Sequence, residues 1–388
     1  MVADEPDLTR LRVDRQRKLA EALPEHGQAL VLLGVSNVKY ATGARVVAAD
    51  YGRTAKWRNV AILIDGDPVP HLWTWQPEGV PGDHPADHVH DGLDLTTDDG
   101  AMALVSFVAE VGADTCLLDE WTMPLHRMWE GERPGDALPL LGPAKLVKTA
   151  DELACIRRAQ QINEEAMAEV QAALRPGIRA TDLSAVFLRR VAQLGAHANT
   201  LDPIWQVMPD RIDRGPHTVT GDVVYPTVTT DRILGEGEVI WVDTGITWEG
   251  YDSDFGRTWV VGRDPSTPER DRFTRWRDVC DRVLDVVKPG ATGADLTAAA
   301  RQGEERTPWL PHLYLSHGIG VDLAEAPLIG TDLGPEFDEA TVLQPGMVLV
   351  LEPVIWEDGE GGWRGEEIVA VTDTGWEPLS SFTYEGWT

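Results

Sequence analysis

Apolar positions recur at helical spacing over residues 8–22, which predicts an amphipathic helix early in the chain. Apolar runs of strand length follow at Ala29–Val35, Val60–Asp65, Pro70–Trp75 and Cys116–Leu118. A helical stretch, Gly100–Val111, lies between the last two. Strands interleaved with helices predict an α/β domain. Loop composition returns in Gly142-Pro-Ala-Lys145. Then Thr149-Ala-Asp-Glu152 reads as a capping box, in which hydroxyl and carboxylate satisfy orphan backbone donors. The helix it opens runs through about Leu174 and stops at Pro176-Gly177. These signals predict two domains, 1–147 and 148–388.

The second part repeats itself. Pro176-Gly-Ile-Arg-Ala-Thr-Asp-Leu-Ser-Ala185 matches Pro289-Gly-Ala-Thr-Gly-Ala-Asp-Leu-Thr-Ala298. Further on, Leu234-x-x-Gly237-x-Val239 leads to Asp243, and Leu343-x-x-Gly346-x-Val348 leads to Glu352. The spacings agree position for position. A duplicated helix–helix–strand unit, and hence a pseudo-twofold domain, is the reading.

Composition narrows the function. The 388 residues hold 64 acidic and 34 basic side chains, a formal net charge of -30. Residues 1–150 carry 23 acidic and 14 basic groups, so the excess is spread over both parts. Nucleic acid is excluded as a main partner, because phosphate binding needs a clustered basic face. No apolar run is long enough to span a bilayer. The first residues lack an apolar signal core, and three cysteines without metal or redox spacing fit a reducing compartment, so a cytoplasmic location is expected. Fifteen tryptophans exceed what a chain of this length needs. Core packing is the plain reading, with Trp73, Trp75, Trp241, Trp248, Trp259 and Trp309 as candidates for an aromatic pocket. In Asp83-His-Pro-Ala-Asp-His-Val-His90, Pro and Asp interleave three histidines, which reads as a polar surface loop rather than a metal site.

The repeat has a chemical consequence. Each half ends an apolar strand, Val239–Val242 or Val348–Leu351, on a carboxylate. Each acid has a second acid downstream on another predicted strand: Asp254 after Asp243, and Glu366 after Glu352. A pseudo-twofold axis brings the two pairs face to face. Four converging carboxylates repel, and two divalent cations between them reverse that balance. His317, flanked by Gly318 and Gly320, is a fifth candidate ligand. The set is hard and oxygen-rich, suited to manganese, iron, cobalt or zinc.

These residues resemble the pita-bread metallopeptidases, the family of aminopeptidase P, prolidase, methionine aminopeptidase and creatinase. Asn37-Val-Lys-Tyr40-Ala-Thr-Gly43 looks like an N-terminal family motif. Asp243-Thr-Gly245 with Gly250-Tyr-Asp-Ser-Asp254-Phe-Gly-Arg257-Thr258 fits its double-aspartate motif. His317-Gly-Ile-Gly320, Glu352-Pro353 and Arg364-Gly-Glu366 with Val371-Thr372 complete it. The resemblance implies a creatinase-like N-terminal α/β domain before a pseudo-twofold pita-bread catalytic domain. It implies a dinuclear hydrolase, manganese the preferred metal, in which a metal-bridged hydroxide attacks a small peptide or amide C–N bond. Asp243 would hold the first metal, His317 and Glu352 the second, and Asp254 and Glu366 both. Glu352 would also shuttle a proton. Spacing to Thr372 and strand alternation select Glu366 over Glu367. Family members are commonly homodimers, and a homodimer acting on a short peptide or small molecule is implied here.

Two family histidines are absent. Seven residues after His317 the chain reads Ala324-Glu325, and about 17 residues before Asp243 it reads Tyr225-Pro226-Thr227. These imidazoles are thought to stabilise the tetrahedral species, so their loss puts peptide hydrolysis in question. The dimethylsulfoniopropionate lyases of the family also lack the first. Alternatives are therefore a lyase or hydrolase of a small metabolite, or an inactive binding protein. Tyr225, His312 and His217 are candidate substitutes in catalysis. Glu325, Trp309 and Arg257 are candidate substrate contacts, with Arg257 expected more to pair with a carboxylate and order the Asp254 strand.

Overall fold

The computed structural model describes residues 5–23, 27–45, 56–113, 115–214, 228–302 and 314–387. Helices and sheets mix in an α/β arrangement, and the chain forms two compact units, Glu5–Lys145 and the residues from Leu146 onward. No helix among the described residues is long and apolar enough to cross a membrane.

The first unit carries a six-stranded mixed sheet. Its strands are β1 (Gln28–Leu32), β2 (Val60–Ile64), β3 (Asp67–Thr74), β4 (Val89–Asp91), β5 (Thr115–Leu118) and β6 (Gly135–Asp136), in the order β4-β3-β2-β1-β5-β6. The amphipathic helix spans Leu8–Ala22 and the second helical stretch Asp98–Glu110. The apolar run Ala29–Val35 is divided: the strand ends at Leu32 and a helix covers Val35–Thr42. Asp119 enforces the break, accepting from the Leu33 and Gly34 amides and from Asn37 Nδ2 at 2.7–2.9 Å. The Asn37–Gly43 motif is structural. Asn37 Oδ1 accepts from Lys145 Nζ, Tyr40 donates to the Ala144 carbonyl, and Gly43 ends the helix at a φ of 72°.

The Asp83–His90 segment departs from a plain surface loop. A 3-10 turn, Ala86–His88, feeds the edge strand β4, and His84, His88 and His90 are half-buried. Parallel pairing of β3 with β4 sets Trp73 beside His90, and the apolar face supplied by Trp73 and Phe107 draws the rings in. Burial and repulsion from His88 hold His71, His84 and His90 below the ordinary imidazole pKa.

In the second unit the repeat is visible bond by bond. Helices Ala150–Ala173 and Ala180–Gln193 form one half, Thr267–Val286 and Gly293–Arg301 the other. Gly177 N donates to Leu234 O at 2.8 Å, and Gly290 N to Leu343 O at 2.9 Å. Leu234 N returns to Ile178 O and Leu343 N to Ala291 O, both at 2.8 Å. The bridges Arg179 to Ile233 and Thr292 to Val342 occupy equivalent positions. The capping box of Thr149 and Glu152 is present as the sequence predicts, and Thr292 with Asp295 forms another.

Short strands complete this unit: β7 (Ala198–Asn199), β8 (Ile204–Val207), β9 (Val239–Thr244), β10 (Ile246–Trp248), β11 (Tyr251–Asp252) and β12 (Phe255–Val260) in the first half. The second half has β13 (Ser316–Gly318), β14 (Glu325–Ile329), β15 (Val348–Leu351), β16 (Val354–Glu357), β17 (Gly361–Arg364), β18 (Glu367–Val371) and β19 (Trp376–Pro378). Two sheets frame the site, β12-β9-β8 and β14-β13-β15-β18-β19. The tryptophans largely fill the core. Trp241, Trp276, Trp356 and Trp363 are among the largest fully buried side chains, and Trp259 is buried too. Of the pocket candidates, Trp73 packs into the first unit's core, Trp248 is half-buried, Trp75 is exposed, and Trp309 lies outside the described residues.

The repeat allows a paired test. Gly237 and Gly346 are equivalent and both left-handed, with φ of 79° and 89°. An added Cβ at Gly346 would meet the Lys148 carbonyl at 2.8 Å, whereas at Gly237 it meets only the Arg263 side chain at 3.2 Å. Both Gly→Ala variants lose about 1–2 kcal/mol from the left-handed backbone, and Gly346→Ala loses more. Denaturant unfolding of the two variants measures the difference, and equal losses would contradict the packing.

Candidate metal centre

The site assembles at strand ends. Asp243 lies near the end of β9 and pairs across the ladder with Gly256 of β12. Asp254 stands just before β12, and Glu366 in the break between β17 and β18, so neither sits within a strand as the alternation reading supposed. His317 lies in the middle of β13, opposite Val350 of β15, and Glu352 directly follows β15. The two long ladders deliver the five side chains to one place. Oxygens of Asp243, Asp254 and Glu366 lie within 4.8 Å of one another. His317 Nε2 is 3.4 Å from Asp254 Oδ2 and 3.4 Å from Glu352 Oε1.

Backbone contacts fix this geometry. The long helix Ala150–Ala173 presents Gln160 and Asn163. Asn163 donates to the Thr244 carbonyl and to Ser253 Oγ, and accepts from Thr244 Oγ1. Gln160 Oε1 accepts from the Asp254 amide at 3.3 Å. These two amides hold the residues next to both aspartates, and sequence reading missed them. Their place on the buried face of a capped helix was the available signal. His317 Nδ1 donates to the Gly318 carbonyl at 2.9 Å, which leaves Nε2 as the lone-pair nitrogen facing the acids. At Gly256 a Cβ would fall 2.3 Å from Glu366 Oε1, so only glycine admits that carboxylate.

Electrostatics dominate the centre. Asp243, Asp254, Glu352 and Glu366 are all buried, at 1–9% exposure. Arg364 is the cation among them, at 3.2 Å from Asp243, 2.5 Å from Glu352 and 2.9 Å from Glu366. Four formal negative charges against one positive leave the pocket anionic. Burial raises the Asp243, Asp254 and Glu366 pKa values, and the neighbouring carboxylates push the same way. Asp243 Oδ1 is buried without a hydrogen-bond donor among the described residues. An orphaned carboxylate oxygen inside an anionic, oxygen-rich donor set fits divalent cations.

The remaining expectations divide. Glu366 faces the acids, while its neighbour Glu367 points away to Arg277, Ser380 and Tyr384. Among the described residues Arg257 pairs with no carboxylate. It donates to the Gly256, Glu366 and Phe382 carbonyls and lies over the Phe255 and Tyr384 rings. Its guanidinium is committed to cross-strand support, so backbone carbonyls stand where a carboxylate partner was expected. Glu325 Oε1 accepts from the buried Lys148 Nζ at 2.5 Å. Ala324 is exposed on the bend before β14. Tyr225, His217, His312 and Trp309 lie outside the described residues.

Raised carboxyl values give a signed pH dependence. Without metal, Asp254 and Glu366 bind more protons in the folded chain than in the unfolded chain, where they titrate near 3.8 and 4.5. Their contribution to stability is therefore greatest below those values and is lost as pH rises through the raised folded values. Relative to an Asp254→Asn, Glu366→Gln variant, which shares the opposite contribution of the low-pKa histidines, melts of metal-free protein decline as pH rises above the ordinary carboxylate range, and divalent cation flattens the slope. A metal-free profile that rises relative to that variant would contradict the charge balance. In Gly256→Ala the displaced Glu366 weakens metal binding by about 10–100-fold, as loss of a supporting contact does. Equilibrium dialysis measures it, and unchanged affinity would show that Glu366 has room to spare.

The model of metallopeptidase family M24 matches residues 154–373. An Xaa-Pro dipeptidase of Pyrococcus furiosus is 27% identical over 238 residues, 61% of this chain and 63% of that one. A probable dipeptidase PepE of Mycobacterium tuberculosis is 29% identical over 260 residues, 66% of this chain and 64% of that one. Both matches span just under two thirds of the relative's length. Among solved structures, the dipeptidase PepE of Mycobacterium ulcerans superposes with a TM-score of 0.75 at 26% identity, covering 97% of each chain. The prolidase of Pyrococcus horikoshii gives a TM-score of 0.74 at 20% identity, covering 96% of this chain and 99% of that one. The fold is thus the pita-bread type. Because the family match extends over more than half of the sequence and takes in every clustered side chain from Asp243 to Glu366, the chain belongs to metallopeptidase family M24.

Proposed function

We propose that this chain is a metal-dependent hydrolase of short peptides, with the Xaa-Pro dipeptide as substrate class. The observation that carries the proposal is the convergence of Asp243, Asp254, His317, Glu352 and Glu366 around one anionic point. In this reading Asp243, Asp254, His317, Glu352 and Glu366 would together hold the divalent ions, with Asp243 toward one and His317 and Glu352 toward a second. Manganese is the preferred ion, since hard oxygen donors dominate the set. When bound, such ions supply Lewis acidity and a water nucleophile active at neutral pH.

The chain's own residues do the rest. Glu352 carries a proton from the attacking water toward the leaving amine. Arg364 holds Glu352 through Oε2, which leaves Oε1 directed at the site. His317, fixed by the Gly318 carbonyl, keeps one tautomer throughout. A homodimer and a cytoplasmic location accompany this reading. They follow from the family resemblance and from cysteine usage.

One observation favours a second reading, a small metabolite as substrate of a lyase or hydrolase. Ala324 puts a methyl group, exposed on a bend, at the position where the peptidases carry an imidazole. Trp73, Trp241 and Trp259 form core rather than an open aromatic pocket, which weakens the other motive for that reading.

The two readings separate in one experiment. Manganese-loaded full chain is assayed with Xaa-Pro dipeptides and with small sulfonium and amide metabolites. Dipeptide cleavage is expected, and Glu352→Gln lowers kcat by about 10²–10⁴-fold, as loss of a proton-transfer group does. Metal content is followed in parallel, with Asp254→Ala expected to lose bound ion. Intact metal binding with no dipeptide turnover would overturn the peptidase reading.

A further inference from the structure

We propose that the N-terminal unit holds a separate binding site for one divalent transition-metal ion of the zinc class, with Asp67, His71 and His88 as its ligands. One oxygen and two nitrogens of these side chains lie within 4.8 Å of one another. The site is independent of the carboxylate centre, and its argument does not use the proposed peptidase activity.

Strand pairing builds it. His71 and Trp73 share a face of β3, and Asp67 opens the strand beyond a register shift against β2. β3 and β4 run parallel, with Leu72 beside Val89 and Trp73 beside His90. His88, the last residue of the turn that enters β4, stacks on His71. The ring centroids of that pair are 4.1 Å apart, stacked at 13°. Asp67 closes the group, its Oδ2 lying 3.6 Å from His88 Nε2. Neighbouring ligands of a tetrahedral zinc ion, bonded at about 2.0–2.1 Å, stand about 3.4 Å apart. The Asp67–His88 separation is close to that.

The hydrogen bonds outside the group point the lone pairs inward. His88 Nδ1 donates to the Val69 carbonyl at 3.0 Å, so Nε2 is the nitrogen that faces the Asp67 carboxylate. A proton or a metal ion holds such a pair together, and a bound metal ion displaces the proton. His71 Nδ1 and His90 Nε2 are 2.9 Å apart, and with His71 donating, its Nε2 is freed for metal. A ligating imidazole whose second nitrogen is fixed by a neighbour is the usual arrangement at metal sites. Parallel rings do not yet aim at one point. On binding, one ring turns about its Cβ–Cγ bond, and His88, whose ring stacks on His71 from the turn before β4, is the one to do so. The side chain of Asp67 is 39% exposed and that of His88 16%, so an ion has a path from solvent and a position open to water.

Chemistry distinguishes this site from the other. Two imidazoles and one carboxylate suit zinc, nickel or copper, whereas the oxygen-rich centre suits manganese. The test uses tag-free full-length protein with the first centre disabled by Asp243→Asn and Glu366→Gln. Equilibrium dialysis against zinc, with elemental analysis, is expected to give one ion per chain. Cobalt is expected to give visible absorption of a nitrogen–oxygen site. Adding His88→Asn abolishes both signals. Adding the half-exposed Asp67→Asn, which leaves the ring packing in place, weakens binding at least tenfold with an unchanged melting profile. No bound ion in the disabled background, or binding unaltered by His88→Asn and Asp67→Asn, would overturn the proposal.

Discussion

Four carboxylates buried together with a single guanidinium set the terms for this protein. Each carboxylate favours water, and burial among the others raises the pKa of Asp243, Asp254 and Glu366. Arg364 offsets part of the charge by touching Asp243, Glu352 and Glu366. It cannot balance all of it. An arrangement of this kind is costly as pure structure, because apolar residues of similar size would be at least as stable there. Its persistence in a tightly packed core is intelligible when cations of higher charge complete it.

Much of the surrounding fold serves to hold those charges where they would not settle on their own. The paired helix–strand halves repeat the same hydrogen bonds around Gly177 and Gly290, and each half sends an apolar strand toward an acid. Cross-strand ladders then fix depth: β9 against β12 for Asp243, β13 against β15 for His317 and Glu352. Asn163 and Gln160 lock the chain beside the aspartates from the helix side. Arg257 draws the Gly256, Glu366 and Phe382 carbonyls together behind the site. Behind it again, Trp276 and Trp363 pack in the second half's core. The tryptophan excess is thereby a matter of packing.

The N-terminal unit follows a different logic. There, imidazoles gather on one face of an edge strand against Trp73 and Phe107, with Asp67 at the rim. Interleaved Pro and Asp made this segment read as a loop. Local composition is a weak guide when a short strand is recruited by a neighbour, since the pairing energy comes from β3 and not from the segment itself.

Periodicity and spacing in the chain alone determined the first helix, the capped helix after Thr149 and the duplicated unit, and together with the family resemblance they pointed to the five clustered side chains. These are local or repeated patterns, so a linear reading can reach them. The tertiary structure decided the rest. That Glu366 rather than Glu367 faces the acids was foreshadowed by alternation, yet it is the strand break that turns the side chain in and Arg277 that draws Glu367 away. Arg257 turned to carbonyls, and Arg364 became the central cation, because the positions of strands far apart in sequence fix which partner a guanidinium meets. His71 and His88 stand 17 residues apart and came together only through parallel pairing. Residue types announced what chemistry was available. Long-range strand register selected which groups share a low-dielectric space, and pairwise electrostatics acts only at that distance.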